Sequence, residues 1–203
     1  MNYGEVKNQV LKLLNQYTRA GSPVEGSYNN QQDYLERIPG LINDAVTEIA
    51  TTARKIPMLV RLESLLHEET ESEIRYELPS NFYQLISGSV VQTREGKTLH
   101  TNQYALQGKK YLLVPKEEQG DYTIVCYRYP ELLGENPQDG DELDNEVETH
   151  YAMPFYVAAH LVIHDEPFLY QAFYNKYEDK LAKMGAGVTA EVRPVADSYG
   201  FFG

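Results

Sequence analysis

Tryptophan is absent from this chain of 203 residues, cysteine occurs once, and bases are scarce, with 18 Lys and Arg against 30 Asp and Glu. No apolar run approaches the ~18 residues of a membrane span. The one cysteine, Cys126, excludes an internal disulfide and with it a stapled secreted fold, so a reducing compartment fits. It lies in the run Tyr122 to Tyr129, where it reads as a small buried hydrophobe. The opening Met1 to Glu5 has neither the basic start nor the apolar core of a signal peptide. A soluble protein made in the cytoplasm is therefore expected. The net charge of -12 argues against non-specific wrapping of DNA, which draws on basic surface to release counterions. It does not exclude a passage through which DNA slides. Also missing are a phosphate-cradling glycine loop with Lys, a nucleophile elbow and a paired Cys and His. No catalytic constellation is present, and no enzymatic activity or cofactor is expected.

Apolar residues at 42% give a globular composition, and 17 Tyr supply rigid amphipathic contact area. Val6, Val10, Leu13, Leu14 and Tyr17 fall at helical spacing, and the helix stops before Gly21-Ser-Pro23. A second helix runs through Tyr34, Ile38, Leu41, Ile42, Ala45, Ile49 and Ala53. Pro39-Gly40 interrupts it, predicting a kink there or a fresh helix with Pro39 at its first position. From Met58 the period changes. Ile74, Tyr76 and Leu78 alternate with acids and Arg75, Val90-Val91 precede a turn at Glu95 to Lys97, and a hairpin is expected about Gly108-Lys109. With a last strand over Asp121 to Tyr129, five or six short strands in ~70 residues predict a small antiparallel sandwich or open barrel. An acidic loop, Gly134 to Asn145, reads as too polar for core. A helix through Val157 and Val162 breaks at His164 to Pro167, and a last one carries Leu169, Phe173, Tyr177 and Leu181 to Gly185.

The expected fold class is α+β. A helical bundle (1–57 and 134–185) carries an inserted small antiparallel β module (58–133) and an extended C-terminal arm (186–203).

Few residues stand out as sites. His160 and His164 are one helical turn apart, but a metal needs three or four converging ligands, so a solvated or tyrosine-bonded pair is the plainer reading. Asp139 to Asp144 lacks the ligand spacing and closing Glu of a calcium loop. Glu68 to Glu73 is a self-repelling solvated connector, unlike two acids held across a glycosidase cleft. No metal is expected. The aromatics Tyr199, Phe201 and Phe202 sit in a stretch without periodicity and are costly to leave in water. They either fold back on the bundle or dock into a neighbouring subunit or partner.

Four stretches, in this order and spacing, resemble the head-tail connector adaptors of tailed bacteriophages and prophages. They are Tyr34 to Ala50, Tyr76 to Tyr83, Val125 to Pro130 with its acidic loop, and the helix pair Met153 to Leu161 and Asp165 to Phe173. The resemblance implies a homo-oligomeric ring, typically of about twelve subunits, beneath the portal at the capsid vertex. It also implies helices packed around a DNA channel, and a β module facing outward or towards the next tail or neck component. DNA passes through without specific binding, and no membrane is involved. Tyr199, Phe201 and Phe202 become portal-docking candidates by position alone. The alternatives are a tail-terminator or neck ring, or a cytoplasmic enzyme or ligand-binding protein using the interior of the β module as a pocket.

Overall fold

The computed structural model describes residues 1–15, 28–63, 67–69, 72–94 and 96–185. Its first helix, α1 (Tyr3–Leu13), begins in a capping box. The Asn2 side chain accepts the Glu5 amide at 2.9 Å, and the Glu5 carboxylate accepts the Asn2 amide at 3.1 Å. Val6, Val10 and Leu11 form its buried stripe. The helix ends earlier than its periodicity predicts, because Asn15 turns left-handed at φ 56°.

Helix α2 (Tyr28–Thr52) buries Ile38, Ile42, Ala45, Val46, Ile49 and Ala50 along one face. It runs unbroken through Pro39, so no fresh helix starts there. The apolar stripe on both sides of the proline holds the helix together against the lost backbone bond.

The bundle is organised by α3 (Met153–Val162), in which eight of ten residues are buried. A helix apolar on every side must lie in the middle, and α3 contacts α1, α2 and α4 (Pro167–Gly185). By contrast, α4 packs chiefly on α3 and fully buries Tyr177 alone among its described hydrophobic side chains.

Nine strands are found among the described residues, more than the five or six that alternation reveals. One sheet holds β1 (Ile56–Leu62), β4 (Phe82–Leu85), β5 (Val91–Arg94), β6 (Lys97–His100) and β9 (Asp121–Arg128). The long β9 pairs along its length with β1, from Ile56 opposite Arg128 to Leu62 opposite Tyr122. Its other edge is shared by β4 and β5. The second sheet has the order β2 (His67–Glu69), β3 (Glu73–Glu77), β8 (Tyr111–Pro115), β7 (Ala105–Gln107). All pairings are antiparallel. The predicted hairpin is present: β7 and β8 meet with Leu106 opposite Leu112, and Gly108 takes φ 61° in the turn.

The two sheets enclose a core of their own, separate from that of the bundle. Tyr76 of one meets Tyr122 of the other edge-on, with ring centroids 5.2 Å apart. Among the described residues the architecture is α+β, four α-helices and a two-sheet β module.

Candidate functional site

The acidic stretch after β9 is a strap fastened to both parts of the molecule. Arg128 clamps Asp144 with two parallel bonds of 2.5 and 2.7 Å, and the Glu131 amide donates to the same carboxylate at 2.6 Å. These bonds, the Arg128 guanidinium foremost, hold the Asp144 carboxyl below its ordinary pKa, against the opposing effect of burial. Asn43 on α2 behaves as a strand would, accepting the Leu133 amide at 2.8 Å and donating to the Leu133 carbonyl at 3.1 Å. Further on, the Asp139 and Asp141 carbonyls accept the amides of Gly4 and Tyr3, and Asp139 pairs with Lys7. A Cβ on Gly4 would stand 2.7 Å from Asp139 Cβ, so only glycine permits this approach. Within the strap Leu143 is 6% exposed and joins the bundle core. The expectation that this loop is too polar for core therefore fails at one residue.

Beside the strap, the bundle and β module meet in a column of cations and rings. Lys55, just past α2, lies 5.8 Å from the Tyr83 ring centroid and 5.2 Å from that of Tyr127. Lys109, in the turn between β7 and β8, lies 4.9 Å from Tyr83 and 4.8 Å from Tyr129. Its ammonium also donates to the Tyr129 hydroxyl at 2.5 Å, tying the second sheet to the first. Sequence reasoning passed over these residues. The signal was Tyr127-Arg-Tyr129, which in a strand puts both rings on one face.

Beyond Lys109 an open groove of about 980 Å³ lies between the end of β1 and strand β3. Arg61, Arg75, Lys109 and Lys110 line it, with Glu63 and Glu77. The space between the sheets is a different matter. Tyr76, Leu112, Tyr122 and Ile124 fill it, each exposed by 1% or less, so the β module has a packed interior where a pocket would need room.

His160 belongs to an aromatic ladder on α3 and α4. It stacks on Tyr156 at 4.1 Å, faces Tyr170 and Tyr174 at about 6 Å, and hydrogen-bonds to the Tyr156 carbonyl at 2.9 Å. At the base of the ladder the buried Tyr177 hydroxyl donates to Glu48 at 3.0 Å. Burial and that carboxylate push the Tyr177 phenol above its ordinary pKa. His164 is exposed. Among the described residues no three His, Cys, Asp or Glu side chains converge as metal ligands. Cys126 is buried, and burial raises its thiol pKa. Two of the sites singled out in the sequence lie wholly or partly outside the described residues: Tyr199, Phe201 and Phe202, and most side chains of Glu68 to Glu73.

Exposed apolar side chains are spread over both parts: Leu59, Leu99 and Leu106 on the β module, Leu132, Val147, Tyr151 and Phe168 on the bundle and strap. Among the described residues no helix is long and apolar enough to cross a membrane.

Among protein families, the one described as SU10 adaptor protein matches residues 1–197. No curated protein matches the chain.

Proposed function

The chain belongs to the SU10 adaptor protein family, and from that premise we propose that it is the head-tail connector adaptor of a tailed phage. At the level of the family it is a structural phage protein of the virion that works by contacting head and tail components. Copies of the chain form a closed ring, of about twelve subunits, seated below the portal. The ring extends the DNA channel, seals the joint and presents a surface for the tail. Its mechanism is association without turnover.

The observation that supports this reading most is the match across 1–197, which takes in bundle, β module and most of the C-terminal segment together. The half-covered α4 adds to it, because a helix that packs chiefly on one neighbour has a face left for another subunit. The segment after Gly185 carries Tyr199, Phe201 and Phe202, which are proposed to dock against the portal. The charge of -12, repeated around a ring, keeps DNA from adhering where acids face the channel.

The test is the mass of the purified chain alone and mixed with its portal protein. A portal complex carrying a fixed multiple of the 23.2 kDa chain supports the proposal, even where the lone chain is monomeric. Failure to bind the portal rejects it.

A further inference from the structure

We propose that the basic groove between β1 and β3 is the receptor for the acidic strap of a second copy of this chain, which makes these two surfaces one contact between neighbouring subunits. This rests on the ring reading above and names the surfaces that close it.

The occupant follows from charge. Between 131 and 148 the chain has eight acidic residues and no Lys or Arg. Three of them are spent within the subunit: Asp139 on Lys7, Asp144 on Arg128 and Glu146 on Arg54 at 3.6 Å. Glu131, Glu135, Glu142 and Glu148 remain exposed, and so does Leu132 at 56%. The groove is the counterpart. In a chain of net charge -12 it gathers four bases against two acids. Arg75 brings a buried Nε that finds no hydrogen-bond partner among the described residues. Such an orphaned donor is unfavourable where it stands, and the Arg75 guanidinium adds its charge to the groove.

Subunits that repel one another at long range need a locally opposite pairing to come together. An acidic surface meeting a basic groove leaves each subunit one free surface of either kind wherever the exchange is not reciprocal, so the contact can propagate head to tail and close by rotation. A self-matching patch would stop at a dimer.

Charge exchange tests this directly. Arg61→Glu with Lys110→Glu turns the groove acidic, and Glu135→Lys with Glu142→Lys puts two bases in place of two unspent acids of the strap. All four side chains are exposed. Each double variant alone, once shown to melt like the parent, is expected to weaken ring formation on the portal by at least about tenfold. A chain carrying all four changes is expected to recover to within about threefold, because the bases placed on the strap then meet the acids placed in the groove. Half-exchanged chains that assemble like the parent, or a fully exchanged chain that does not recover, overturn the inference. In the first outcome the ring reading stands and the groove is free for a different partner.

Contact between copies is also read without the portal. Arg61→Cys and Glu142→Cys chains, mixed at high concentration, are expected to form an intermolecular disulfide that neither forms alone, and the buried Cys126 does not compete. Absence of that cross-link counts against the groove. Its presence with no portal binding would keep the groove and discard the portal.

Discussion

Arg128 and Asp144 are 19% and 27% exposed and share two parallel hydrogen bonds, so deleting one partner strands the other's charge. Asp144→Asn is expected to lower stability by about 2 kcal/mol, read from the urea midpoint. The pH dependence has a definite sign. The Asp144 carboxyl is held below its ordinary value of 3.8, so its contribution is complete above that pH and is lost as pH falls through the lower folded value. The parent should lose stability more steeply than the Asn variant in that acidic window.

His150 behaves differently. It is 3% exposed, with Nδ1 2.8 Å from the Met1 amine and Nε2 3.2 Å from the Asn145 carbonyl. Burial, and then the charge of that amine, depress its pKa below the ordinary 6.5. The unfolded chain therefore takes up a proton that the folded chain resists, and stability falls as pH drops below 6.5. His150→Gln is expected to flatten this part of a melting-temperature profile. A profile as steep as the parent's would assign the effect elsewhere.

Two glycines on helices carry opposite predictions at the scale of elements. Gly40 is exposed on α2 with nothing within 4 Å of an added Cβ, so Gly40→Ala should stabilise by about 1 kcal/mol. Gly4 touches the strap, and Gly4→Ala should destabilise by about 1–3 kcal/mol by driving α1 and Asp139 apart. Chemical denaturation measures both. The helices were legible in the sequence because their cores recur every three or four residues, as in Ile38, Ile42, Val46 and Ile49. Strand β1 was not. Its outward positions are Pro57, Leu59 and Arg61, and an exposed leucine with a proline erases the alternation a reader depends on. As an edge strand, β1 can accommodate Pro57. Leu143 was hidden for a related reason, since one apolar residue among acids has no period. The Arg128–Asp144 clamp joins residues 16 apart through a fold that local pattern does not contain. Lys109 and Tyr129 likewise meet only once the two sheets are stacked.

For the whole molecule, two cores joined by a cation–ring column and a fastened strap give a firm body. What remains for partners is the outer side of α4, the groove, the acidic surface and the segment beyond Gly185. Deleting 186–203 is expected to leave the urea midpoint within about 0.5 kcal/mol of the parent, because both described cores lie before Gly185. The same deletion should weaken portal binding by at least about tenfold, as read by pull-down with the purified portal. Undiminished binding would remove Tyr199, Phe201 and Phe202 from the docking surface.

On the proposed function, copies of this chain line up side by side between capsid and tail. A cryo-electron microscopy reconstruction of the intact virion tests it most directly. A ring of this chain is expected directly beneath the portal, with the helical bundles side by side around the channel and the β modules away from it. Density for the chain anywhere outside that passage, or as isolated single copies, would contradict it.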